Sequence, residues 1–258
     1  MLLYRIGPEG FYAVAEAAGA PLSVLYSDPF ETRPGGWELG RAVDPESAGL
    51  LVPIVPGKIV GIGRNYREHA KELDHPMPPE PLIFLKATSA LLGPAAPILL
   101  PPESQRVEHE GEIAVVLRKR LTRGADRETA RGAVLGVTCA CDVTARDLQK
   151  KDATFARGKG FDTFCPLGPA VWVDADLDDL AVITRVNGQE RQRGHVRDME
   201  WGIVELLVYT SRFMTLEAGD VILTGTPAGV GPLADGDIVE VEIPGLGVLT
   251  NPVEALRE

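Results

Sequence analysis

The chain has 258 residues, enough for one large domain or one domain with a small appendage. A net charge of −11, from 26 basic and 37 acidic residues, repels polyanions and argues against nucleic acid as a partner. A hydrophobic content of 45% excludes disorder, and no apolar run reaches the roughly 20 residues that a membrane helix needs.

Residues 1–52 are broken by Gly and Pro into short apolar runs and predict a small N-terminal β subdomain. The start, Met1 to Pro8, lacks the pattern of a secretory signal. Cys139, Cys141 and Cys165 make a poor disulfide framework, so a reduced, cytoplasmic setting is expected. Pro53 to Gly57 is the expected joint to a main domain over 53–258.

A strand is predicted at 59–62. Asn65 then reads as the cap of a short helix, with Glu68 in the capping-box position and His69 inside it, ending near Leu73. The stretch 74–81 holds Pro76, Pro78, Pro79 and Pro81 and reads as a loop, so helix and loop together suggest a lid. His69 and Glu72, three apart, share a helix face. They read either as an imidazole oriented by a carboxylate, fit for general-base work, or as a surface ion pair.

Strands are predicted at 82–86, 97–100, 107–118, 133–142, 168–173, 181–187, 220–224, 237–243 and 246–249. Helices are predicted from Thr144 as N-cap and from Met199 to Phe213. Strands outnumber helices without regular alternation, which predicts a β-rich α+β fold and argues against a doubly wound sheet.

The segment Glu108-His109-Glu110-Gly111-Glu112-Ile113-Ala114-Val115-Val116-Leu117 carries the strongest chemical signal. On a strand, Glu108, Glu110 and Glu112 share one face, while the apolar second half points to burial on both faces. The acids are either a solvated strand end or the ligands of a cation. Asp142, at the end of the strand before Thr144, adds a third carboxylate to Glu110 and Glu112. Three carboxylates without a His–Cys set favour Mg²⁺ first, then Mn²⁺ or Ca²⁺. His109 faces the other way.

Lys159 sits in a glycine-flanked loop, and Arg146 and Gln149 share a face of the helix after Asp142. The turn Thr224-Gly225-Thr226-Pro227-Ala228-Gly229-Val230-Gly231 can offer backbone N–H groups and the Thr226 hydroxyl to a carboxylate. It is no phosphate loop, since Lys followed by Ser or Thr is absent. Gly61-Ile62-Gly63 lacks a third glycine, with Tyr66 in its place, and G-x-S-x-G is missing.

In order, Gly63-Arg64-Asn65-Tyr66, His69, Glu72, Phe84-Leu85-Lys86, Glu110-Gly111-Glu112, Asp142-Val143-Thr144-Ala145-Arg146-Asp147-Leu148-Gln149, Lys159-Gly160-Phe161-Asp162-Thr163 and the turn 224–231 resemble the fumarylacetoacetate hydrolase family. The resemblance covers roughly 57–253 and is closest to its acylpyruvase and 2-hydroxyhepta-2,4-diene-1,7-dioate isomerase-like members. It implies a mixed β-sandwich or roll as catalytic domain, usually as a homodimer, with Mg²⁺ or Mn²⁺ on Glu110, Glu112 and Asp142. It further implies His69, Glu72 and Lys159 as catalytic residues, and Arg64, Arg146, Gln149 and Thr226 as substrate-binding residues. The expected substrate is a small dicarboxylate or 2-oxo acid, handled through an enolate by C–C hydrolysis, decarboxylation or isomerisation. Where relatives often carry Asn-Asp and Asn-Thr-Ser, this chain has Cys141-Asp142 and His195-Val196-Arg197. A metal-stabilised binding protein without turnover would need the acids but would have no use for a His–Glu pair.

Overall fold

In the computed structural model, residues 1–257 are described, position 46 through its backbone alone. Two sheets make the body. The larger has eleven strands, and its centre is the run Cys165–Val173, Val134–Cys141, Gly111–Leu117, Val221–Leu223, Ile59–Gly63 and Leu82–Lys86. The four N-terminal strands continue this same sheet, because Leu2–Ile6 pairs antiparallel with Cys165–Val173. The five-stranded sheet, in order Gln189–His195, Ala181–Val186, Ile238–Ile243, Gly247–Ala255 and Ile98–Leu100, packs across the centre of the larger one. This is the expected β-rich α+β sandwich.

The acidic strand Gly111–Leu117 and its partner Val134–Cys141 are buried along their whole length. The five-stranded sheet covers one face of this pair. Two such strands carry the carboxylates at the ends of the most deeply buried part of the sheet. A third, three-stranded sheet joins Thr144–Ala145, Val107–His109 and Gly231–Pro232 beside those ends. Among the described residues, no helix is long and apolar enough to cross a membrane.

Four local expectations need correction. The strand 107–118 is broken at Glu110 into Val107–His109 and Gly111–Leu117. Thr144 is no helix cap: it pairs with Glu108 in the small sheet, its hydroxyl donates to Asp142 O at 2.8 Å, and the helix starts at Arg146. Asn65 is no cap either. Its amide donates to Thr224 O and Trp201 O and accepts from Trp201 N–H, joining two distant segments. These bonds also hold the chain around Trp201 out of helical form, so the helix read over 199–213 spans only Ile203–Thr210. The two-residue strands Leu91–Leu92, Thr144–Ala145 and Gly231–Pro232 were not anticipated, nor was the strand Gln189–His195. Asn187 and Gly188, both at positive φ (53° and 74°), form the tight turn that pairs it with Ala181–Val186, and Asn-Gly was its available signal.

Candidate active site and metal centre

The break at Glu110 is what brings the acids together. Asp142 N–H donates to Glu110 O at 2.8 Å, tying the ends of the two central strands. Ligand oxygens of Glu110, Glu112 and Asp142 then lie within 4.8 Å of one another, and all three residues are buried. Glu108 is not in this group. Its carboxylate takes Arg146 Nε at 2.7 Å and Arg106 Nε at 2.5 Å.

Four buried carboxylates (Glu108, Glu110, Glu112, Asp142) face three buried cations (Lys86, Arg146, Lys159). Lys159 Nζ bridges Glu110 at 2.7 Å and Asp142 at 2.5 Å. Arg146 spans Glu108 and Glu110 and donates to Gln149 Oε1 at 2.7 Å. Lys86 Nζ donates to Lys159 O at 2.6 Å and stands 2.7 Å from Asp142 Oδ1, off the direction of a hydrogen bond. Burial disfavours the ammonium of Lys159, yet Asp142 and Glu110 outweigh it and keep it charged. Burial likewise works against the Glu110 carboxylate, but Lys159, Arg146 and His69 hold it well below the usual range.

Glu112 is the acid left over. Among the described residues no basic side chain forms an ion pair with it, and one backbone donor, Gly225 N–H at 2.7 Å, reaches its Oε2. Burial, then Asp142 and Glu110 as like charges, push its carboxyl well above the usual range. Asp142 Oδ1 is buried and accepts no hydrogen bond. A crowded buried oxygen set in which Glu112 has no basic partner and Asp142 Oδ1 accepts no hydrogen bond fits a hard divalent cation. Glu110, Glu112 and Asp142 are the residues that would hold it.

The helix Arg67–Glu72 lays His69, itself buried, against the same cavity. Its Nδ1 lies 3.4 Å from Glu72 Oε2, and a carboxylate only accepts, so Nδ1 carries the hydrogen and Nε2 keeps its lone pair. Burial lowers the pKa of His69 below 6.5, against the opposing pull of Glu110 and Glu72. Glu72 also accepts Gly229 N–H at 3.0 and 3.1 Å, which fastens this helix to the glycine turn. Thr226 lines the cavity, but its hydroxyl proton goes to Gly111 O at 2.8 Å and its lone pair takes Gln192 Nε2 at 2.7 Å. Arg64, held at φ 53°, lines the cavity as well, with one long bond to Pro76 O at 3.3 Å.

The cavity holds about 310 Å³. His69, Glu110, Asp142, Arg146 and Lys159 make its polar wall, and Leu82, Phe84 and Phe155 its apolar one. That size suits a small diacid. Two residues of this neighbourhood escaped sequence reasoning as chemistry. Lys86 had a weak signal, a cation closing the apolar strand Leu82–Lys86. Gln192 had none, since it sits in a strand of mostly polar residues. His109 faces away from the acids, with Nδ1 3.1 Å from Gln192 Oε1.

Residues 58–254 match the family model described as the fumarylacetoacetate hydrolase C-terminal domain. An uncharacterized protein of Archaeoglobus fulgidus is 47% identical over 215 residues, covering 82% of this chain and 84% of that one. The oxaloacetate tautomerase FAHD2A, mitochondrial, of Bos taurus is 44% identical over 217 residues, covering 79% of this chain and 69% of the relative. Among solved structures, a 5-carboxymethyl-2-hydroxymuconate delta-isomerase from Mycobacterium smegmatis superposes with a TM-score of 0.89 at 41% identity, over 99% of this chain and 100% of that one. A 2-hydroxyhepta-2,4-diene-1,7-dioate isomerase from Mycobacterium marinum does so with a TM-score of 0.89 at 38% identity, over 100% of both chains.

Proposed function

The chain belongs to the fumarylacetoacetate hydrolase family, whose members are enzymes, and on that premise we propose that it moves a proton on a small 2-oxo diacid, interconverting its keto and enol or double-bond isomers. The observation that carries this reading is the neutral His69, its Nε2 lone pair free, on one cavity wall with the acid triad's Glu110 and Asp142. Relatives and neighbours named as a tautomerase and as isomerases support the same class.

A divalent cation, Mg²⁺ or Mn²⁺, would supply Lewis-acid stabilisation to the oxygens of the 2-oxo acid. Glu110, Glu112 and Asp142 would hold it. His69 Nε2 takes the proton from the carbon next to the keto group and releases it, by way of solvent, to the keto oxygen, which becomes the enol hydroxyl, or returns it to a conjugated carbon when the double bond moves; ketonisation is the reverse. Glu72 keeps the imidazole in the tautomer that can accept. Lys159 sets a fixed positive charge beside the oxygen on which negative charge develops. Arg146 and Gln149 offer their remaining donors to the substrate's polar end, and Arg64, which lines the same cavity, is available for a second carboxylate. The apolar wall of Leu82, Phe84 and Phe155 covers the carbon chain and limits water at the reacting carbon.

The test is a panel of oxaloacetate enol, a hydroxymuconate-type diacid and an acylpyruvate with Mg²⁺, scored separately for loss of enol absorbance and for release of pyruvate or carbon dioxide. Isomerisation without cleavage is the expected outcome. Stoichiometric cleavage products would replace this reading with hydrolysis or decarboxylation.

A further inference from the structure

Gln192 lies on the strand Gln189–His195 of the five-stranded sheet, 1% exposed. Its Oε1 faces Gly111 N–H at 2.9 Å and His109 Nδ1 at 3.1 Å. Its Nε2 donates to Thr226 Oγ1 and to Pro227 O, each at 2.7 Å. The orientation of the amide is fixed, because Gly111 N–H can only donate and Pro227 O can only accept. His109 must then carry its hydrogen on Nδ1. All four positions of the amide are used inside the protein.

The groups it joins are those that shape the site. Residues 109 and 111 flank Glu110, where the acidic strand breaks. Thr226 and Pro227 belong to the turn whose Gly225 N–H reaches Glu112. The neighbouring strand Ala181–Val186 presses on the same point: a Cβ added at Gly111 would lie 1.8 Å from Thr184 Oγ1. The second sheet thus approaches the bend closely at Thr184, where only glycine fits, and holds it with Gln192.

We propose that Gln192 is a positioning residue of the metal centre, holding the Glu110 bend and the Thr226 turn in register so that Glu110 and Glu112 meet Asp142. The inference rests on the reading that these acids hold a divalent cation. Gln192→Met keeps the length of the side chain and leaves Gly111 N–H, His109, Thr226 and Pro227 without their partner. Groups that orient metal ligands are worth roughly 10–100-fold in metal affinity.

The test is calorimetric titration of the full chain with Mn²⁺, well below its melting temperature. Gln192→Met, or the milder Gln192→Asn, is expected to keep its far-UV circular dichroism and to raise the Kd for Mn²⁺ by about 10–100-fold. Arg193→Ala, an exposed neighbour paired with Glu190, is expected to leave that Kd unchanged. A merely structural role would lower the melting temperature and spare the Kd. A folded Gln192 variant with wild-type affinity overturns the proposal. So does failure of both variants to fold, which would make Gln192 a residue of the fold alone. Absence of Mn²⁺ binding by the unaltered protein would instead remove the metal reading on which the proposal stands.

Discussion

At the residue scale the account turns on His69. It is buried and neutral, and burial lowers its pKa below 6.5. A general base of this kind contributes about 10²–10⁴-fold, so His69→Ala is expected to lower kcat by that much and to leave Mn²⁺ affinity nearly unchanged. Steady-state kinetics with calorimetry checks both. The pH sign follows from the direction of the shift. The imidazole is fully able to accept a proton near neutrality, so kcat/KM should be flat there and fall only at a pH below 6.5. The same group bears on stability: as pH drops below 6.5 the unfolded chain takes up the proton first, and stability falls toward the lower folded pKa. In His69→Ala this part of both profiles should vanish. The cysteines behave oppositely to a nucleophile. Burial pushes Cys139, Cys141 and Cys165 up to about 12, so none should react with iodoacetamide in the native protein and all three should react in denaturant. Rapid native alkylation, read by mass spectrometry, would contradict their placement.

At the element scale the helix Arg67–Glu72 depends on the turn 224–231 through Glu72 and Gly229 N–H. Gly229 has φ 103°, and an added Cβ would stand 2.0 Å from Arg191 O. Gly229→Ala is therefore expected to cost about 1–3 kcal/mol of stability, as overpacking does. It should also reduce kcat by freeing Glu72 and weaken Mn²⁺ binding, because the same Cβ would stand 3.3 Å from Gln192 Cγ. Chemical denaturation and calorimetry on the one variant separate these effects. The same scale shows what could be read in the sequence. Local patterns sufficed for most strands and for the burial of Ile113–Leu117, since alternation and chain order carry that information, and the residue types and order of Glu110, Glu112 and Asp142 pointed to their grouping. The bend at Glu110 was not legible, because the residue that holds it, Gln192, is 81 positions from Gly111. Thr144 and Asn65 had good capping chemistry, but tertiary partners claimed their side chains and backbone first. The commitment of the Thr226 hydroxyl to Gly111 O was invisible for the same reason.

At the scale of the whole molecule, residues 1–52 share a sheet with the rest, and Leu2 and Leu3 are buried against Trp172 and Val171. A chain beginning at residue 53 would leave the strand Cys165–Val173 as an open apolar edge. We expect it to lose cooperative melting by circular dichroism, and a sharp native-like transition would contradict this. The net charge of −11 repels a diacid at long range, so attraction must come from the buried cations and the proposed divalent metal. Added salt screens that repulsion, and kcat/KM should therefore hold or rise modestly with ionic strength. The measurement that tests the central claim most directly is exchange of solvent deuterium into the carbon beside the keto group of oxaloacetate, followed by NMR with Mg²⁺. The account expects enzyme-dependent exchange that disappears with excess chelator and in His69→Ala. Exchange that persists in chelator, or carbon–carbon cleavage without exchange, would contradict it.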